Sequence, residues 1–108
     1  MSDFADKTQD GSPQRFRLGH IVATPGALRL LATNQQSADE FLRRHAGCDW
    51  GDLDAEDKQL NDAAVAHEAD PELRTRILSA YRTRNNERLW VITEADRAST
   101  ILLQPEEY

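Results

Sequence analysis

The apolar residues of this chain change their spacing near residue 76, and that change constrains the fold more than any motif does. Upstream they recur at helical intervals behind capping residues; downstream they alternate or run together in β-favouring stretches. Thr24 and Pro25 can open a first helix, because Thr24 can accept from a free backbone N–H and Pro25 sits where a missing donor costs nothing. Leu28, Leu30 and Leu31 form its buried stripe, and residues 33–36 break it. Ser37 with Glu40 makes a capping-box pattern for a helix over residues 38–45, which buries Phe41 and Leu42 and ends at Gly47. Asp52 or Asp54 can cap a third helix over residues 55–67, with a thin apolar face of Leu60, Ala63, Ala64 and His67.

Residues 76–82 then read as a strand, and Asn85, Asn86 and Glu87 as a turn. Residues 89–93 form a second strand, 95–98 a turn, and 99–103 a third strand stopped by Pro105. An earlier alternation of Phe16, Leu18, His20 and Val22 predicts a short strand at the sheet edge, weakened by Gly19. The expected fold is α+β: a helical N-terminal half packed on a three- to four-stranded antiparallel sheet, the last three strands forming a meander. Residues 1–14 carry Phe4 as their one large apolar group and are expected to be a flexible tail; residues 15–108 are expected to form a single domain. No apolar run reaches the roughly 18 residues of a membrane helix. The N-terminus lacks the basic-then-apolar order of a signal peptide. The expectation is a cytoplasmic protein with no membrane partner.

Charge is unevenly spread. Between Asp49 and Asp62 stand six acids (Asp49, Asp52, Asp54, Glu56, Asp57, Asp62) and one base, Lys58, a local charge of −5 in a chain of net charge −6. Such a concentration suits a surface that meets something basic or imitates something acidic. The thirteen Lys and Arg residues are scattered, and their densest group (Arg74, Arg76, Arg82, Arg84, Arg88) falls on expected strands and their edges. Direct nucleic-acid binding, which needs a basic patch to displace counterions, is therefore not expected.

Catalytic and metal-binding readings meet specific objections. An EF-hand register on Asp52, Asp54 and Glu56 puts Asp57 where glycine is required and Ala63 where the bidentate glutamate belongs. His20, His45, His67 and Cys48 lack paired zinc-ligand spacing. Asp52, Asp54, Glu56 and Lys58 could be assembled into a magnesium-dependent nuclease, but they crowd a helix entry and helix capping accounts for them without a metal. Cys48 cannot form an intrachain disulfide; His45, one helical turn away, would have to activate it as a nucleophile. Glu94, Asp96 and Arg97 read as a hairpin turn with a surface ion pair. Trp90 reads as core. Trp50, flanked by Asp49, Gly51 and Asp52, either anchors a loop to the core or stands exposed as a binding hot spot.

Several stretches are distinctive: Asp49-Trp50-Gly51-Asp52-Leu53, the run 57–62 (Asp-Lys-Gln-Leu-Asn-Asp), 78–82 (Leu-Ser-Ala-Tyr-Arg), 89–97 (Leu-Trp-Val-Ile-Thr-Glu-Ala-Asp-Arg) and the closing Pro-Glu-Glu-Tyr. From Phe16 to Tyr108 the chain resembles a group of short, uncharacterised bacterial proteins that travel on plasmids and other mobile elements, some of them loosely labelled as restriction-modification related. The resemblance brings no catalytic residues. It implies a protein that helps a mobile element survive in its host, a setting in which small acidic proteins often block nucleic-acid sites.

The expected function is thus a small acidic, non-enzymatic binding protein that inhibits a nucleic-acid-binding host defence complex of restriction or CRISPR type. Asp49, Asp52, Asp54, Glu56 and Asp57 would supply charge and Trp50 an apolar anchor, with no catalytic residue, metal or cofactor. The expected partner is a basic protein surface, met by a monomer or a homodimer. One alternative is a self-associating structural or regulatory subunit that pairs through Ile101, Leu102 and Leu103 as an edge strand. Another is a small enzyme that uses the acidic cluster with a divalent metal.

Overall fold

The computed structural model describes residues 14–108; the tail expected over residues 1–14 lies outside the described residues, Gln14 apart. The elements run β1 (His20–Ala23), α1 (Pro25–Asn34), α2 (Ala38–Ala46), α3 (Ala55–Ala66), β2 (Ile77–Arg82), β3 (Arg88–Thr93), β4 (Ser99–Leu103) and a short 3-10 turn over Pro105–Glu107. Each α-helix begins where a side-chain oxygen satisfies a free N–H. Thr24 accepts from Ala27, Ser37 from Glu40 and Asp54 from Asp57. Gly47 follows α2, but the left-handed residue there is Cys48, at φ 70°.

The four strands lie in the order β1-β4-β3-β2. β3 runs antiparallel to both neighbours, with Ser79 opposite Val91 and Val91 opposite Leu102. β1 runs parallel to β4, with Ile21 opposite Thr100 and Ala23 opposite Leu102. The sheet is therefore mixed rather than purely antiparallel. The physical reason is that a period-two pattern records which face is buried, not which way the strand points. Helices α1 to α3 intervene between β1 and β2, and a crossover of that length does not force reversal. β4 lies inside the sheet, so it is not the edge strand expected for self-association.

The first strand is also shorter than its alternation suggests. Gly19 adopts φ 67°, and a Cβ there would collide with the Ala98 backbone. The chain bends at that glycine, leaving Phe16 and Leu18 buried upstream of the strand. On one sheet face Ile77, Tyr81, Leu89, Val91 and Leu102 pack with Leu30 and Leu31 of α1, Phe41 and Leu42 of α2 and Ala64 of α3. The opposite face carries Val22, Leu78, Trp90, Ile92, Ile101 and Leu103 by strand alternation. Trp90, expected in the core, is half-buried on that outer face, where its ring meets Tyr108 edge-on at 5.7 Å.

α3 departs from its expected face. Leu60 is 63% exposed, and the buried residues are Asn61 and Ala64. Asn61 Nδ2 donates to the Leu78 carbonyl at 2.7 Å, and its Oδ1 accepts from the Leu78 N–H at 3.2 Å. The side-chain amide thus takes the place of a neighbouring strand at the edge of β2. Two residues along, the Ala80 N–H donates to the Trp50 carbonyl at 3.1 Å and the Asp52 N–H donates to the Ala80 carbonyl at 2.6 Å. The segment 50–52 and Asn61 together cover an edge that would otherwise present free donors and acceptors.

Candidate functional site

That edge cover belongs to the acidic segment, so the segment's first role is structural. Gly51 makes the approach feasible: at φ 76° it passes so close to Ala80 that a Cβ would strike the Ala80 carbonyl. Trp50 is 4% exposed, packed on Phe16 and His45, and its Nε1–H donates to Asp62 Oδ1 at 2.9 Å. Of the two orientations open for Trp50, the inward one is found. It anchors the loop to the core and supplies no exposed partner contact, which corrects its assignment to a binding surface. The core's need for a large ring beside Phe16 outweighs the polar flanks Asp49, Gly51 and Asp52.

The carboxylates divide into committed and free. Asp49 pairs with Arg44 at 2.7 Å and accepts from the Gly51 N–H at 3.2 Å. Burial pulls its carboxyl upward, but the Arg44 hydrogen bond and charge outweigh that and hold it below its ordinary value. The Arg44 guanidinium lies over the Tyr81 ring at 4.5 Å, and the Tyr81 hydroxyl donates to the Asp49 carbonyl at 2.6 Å. Burial pushes that phenol well above its ordinary value. Asp52 pairs with Arg82 at 3.1 Å, Asp54 caps α3 by accepting from Asp57 N–H at 2.8 Å, and Asp62 holds Trp50. Among the described residues, the Glu56 and Asp57 carboxylates join no ion pair or side-chain hydrogen bond.

Asp52, Asp54 and Asp57 line one wall of a cleft of about 200 Å³, which Arg82 and Arg88 face and Trp90 borders. Arg82 and Arg88 are directly opposed across β2 and β3, a like-charge pair that the Asp52 carboxylate relieves. Glu56 shares the first turn of α3 but not the cleft, and Asp49 lies on the Arg44 side of the loop. The expected site residues are thus split. Four exposed carboxylates (Asp52, Asp54, Glu56, Asp57) gather about the start of α3, Asp49 stands apart, and Trp50 is inside. The two arginines went unassigned in the sequence, although a hairpin turning at Asn85 and Asn86 sets residue 82 opposite 88.

His45 does not activate Cys48 as a nucleophile. Cys48 is half-buried, and burial raises its thiol pKa. His45 is fully buried, and both its ring nitrogens are engaged: Nδ1 with Ser79 Oγ at 2.5 Å, Nε2 with Thr93 Oγ1 at 2.9 Å. It is unavailable to Cys48 as a base. Among the described residues no three His, Cys, Asp or Glu side chains converge on a point where a metal could sit, and no helix is long and apolar enough to cross a membrane. Arg97, expected in a surface turn, is 4% exposed. Its Nε and Nη2 grip Glu68 at 2.9–3.1 Å, while Nη1 donates to the carbonyls of Thr75, Glu94 and Ala95. No family model matches the chain, and neither a curated protein nor a solved structure matches it.

Proposed function

We propose that the protein is a non-enzymatic binding protein that presents the acidic start of α3 to a basic protein surface and, by occupying it, inhibits a nucleic-acid-binding host defence complex of restriction or CRISPR type in the cytoplasm. The observation that carries this reading is the rigid display of Asp52, Asp54, Glu56 and Asp57. All four are exposed on a turn fixed by the Asp54 cap, the buried Trp50 and the backbone bonds to Ala80. Charges already held in place lose little entropy on binding, and they steer a basic partner from a distance. Asp49 adds its charge from the far side of the loop. Trp50 contributes by holding the frame, not by touching the partner.

The test separates charge from fold. Tagged protein is used to recover partners from a bacterial lysate rich in defence systems, with low-salt and high-salt washes and mass spectrometry. Salt-sensitive recovery of a nuclease, restriction or CRISPR subunit is expected. Glu56→Gln with Asp57→Asn removes two carboxylates that make no internal contact. Affinity should fall about three- to fivefold per charge, while the fold survives with only the few degrees of melting temperature that lost helix-dipole complementarity removes. Recovery indifferent both to salt and to these substitutions would sink the reading.

A second reading, a self-associating structural or regulatory subunit, draws support from the outer sheet face. Val22 is 40% exposed there, beside half-buried Ile101, Leu78 and Trp90. The pairing surface would be this face rather than β4 as an edge. A strict monomer by light scattering at high micromolar concentration removes it.

A further inference from the structure

At the opposite end of α3 from its acidic turn lies an open cavity of about 520 Å³, walled by Gln14, Arg15, Arg17, Glu68 and Arg74 with Phe16 at its base. Its charge is the reverse of the acidic segment's. Glu68 is its one carboxylate, and that carboxylate is already held by the buried Arg97, both of its oxygens accepting. Arg74 comes no closer to Glu68 than 3.9 Å. Arg15 and Arg17 are exposed and join no ion pair among the described residues. Arg15, Arg17 and Arg74 on the lining and Arg97 behind Glu68 thus stand against one carboxylate, a surplus of three positive charges.

Two of the residues that line this cavity also carry a buried polar atom without a partner among the described residues: Arg74 Nε and Gln14 Oε1. An unpaired buried donor or acceptor is costly, and here one of each belongs to a side chain that lines the same space. The walls are fixed independently of any ligand. The Arg15 N–H donates to the Ala46 carbonyl at 2.9 Å, and Gln14 Nε2 donates to the Phe16 carbonyl at 3.0 Å. That second bond leaves the amide oxygen free to accept. Behind them Arg97 ties the loop before β2 to the turn after β3 through Thr75, Glu94 and Ala95.

We infer that this cavity is a binding site for a small oxyanion ligand, a phosphate or carboxylate carrying an adjacent hydrogen-bond donor. The Arg74 and Gln14 side chains turn toward the ligand, so that the anion takes the Arg74 Nε–H in a charge-assisted bond, Arg15 and Arg17 close over it, and the neighbouring N–H or O–H of the ligand donates to Gln14 Oε1. The inference is independent of the acidic surface.

The full chain is titrated with inorganic phosphate, glycerol 3-phosphate and glutamate, watching the Arg74 Nε–H resonance by NMR and the heat by calorimetry. Saturable movement of that resonance is expected, with glycerol 3-phosphate or glutamate binding more tightly than inorganic phosphate because each carries its donor on a neighbouring group, within reach of Gln14 Oε1, rather than on the anion itself. The stronger of the two identifies the anion as phosphate or carboxylate. Arg74→Gln should weaken binding about tenfold or more. Arg15→Gln, on an exposed side chain that the fold does not need, should weaken it measurably without shifting the melting temperature. An Arg74 resonance that stays fixed with every probe at ten-millimolar levels, or affinity unchanged in both variants, overturns the assignment.

Discussion

His45 shows how completely a buried side chain can be specified by groups distant in sequence. Thr100 Oγ1 donates to the Leu18 carbonyl at 2.7 Å, which uses its one proton. Thr93 must then donate to Thr100 at 2.7 Å and accept from His45 Nε2–H, leaving Nδ1 to accept from Ser79. The ring is therefore neutral, with its proton on Nε2. Burial, reinforced by the Arg97 charge, lowers its pKa from 6.5 to about 3. The unfolded chain takes up a proton as pH falls through 6.5, while the native ring refuses it until about 3. The stabilisation is thus whole above pH 6.5 and is lost progressively below it. Chemical denaturation should show about 2 kcal/mol less stability at pH 5 than at pH 7, and the His45→Gln variant should lack that slope. None of this was legible in the sequence, where His45 stands 34 and 48 positions from its two hydroxyl partners. Arg97 was hidden for the same reason, since Glu68 lies 29 residues away.

At the level of elements, what could be read was local. Thr24, Ser37 and Asp54 cap helices using N–H groups three residues ahead, so their roles follow from spacing. The strands β2, β3 and β4 also follow from composition and turn residues, and Asn86 takes φ 65° as its place in the turn requires. Strand direction and the face of α3 depended on tertiary partners. Hydrophobic periodicity favoured Leu60 for the core, yet the position facing β2 went to Asn61, because a strand edge needs a donor and an acceptor more than a methyl group. Asn61→Ala should leave the Leu78 N–H and C=O unpaired and cost about 1–3 kcal/mol. Native-state hydrogen exchange checks it: the Leu78 amide should lose protection before those of β3. Of the acidic site, the charge was visible in the sequence. That Asp52 was already occupied, and that Trp50 faced inward, depended on Arg82 and Phe16 arriving from elsewhere in the chain.

Across the whole molecule, α3 separates two opposite fields. Its twelve residues span roughly 18 Å at 1.5 Å per residue, with Glu56 and Asp57 at its start and the arginine-lined cavity beyond its end. Both placements complement the helix dipole. The sheet is similarly two-sided, with helices on one face and on the other a short closing segment. Glu107 accepts from the Thr24 hydroxyl at 2.6 Å and from the Gly26 N–H, while Tyr108 lies against Trp90 and the Arg76 guanidinium. Tyr108→Ala should uncover Trp90. Red-shifted tryptophan emission, stronger dye binding and a stability loss of about 1 kcal/mol are expected, together with a rise in dimer by light scattering if the outer face is adhesive.

The loop that closes the β2 edge does so with backbone atoms, the Trp50 ring and the Asn61 amide, none of which belongs to the Glu56 or Asp57 side chains. Scaffold and signal are therefore written in different letters of the same short stretch. The letters that face outward can be rewritten one at a time, which under the proposed function would let them follow a partner that changes its own surface, while those that hold the loop shut stay as they are.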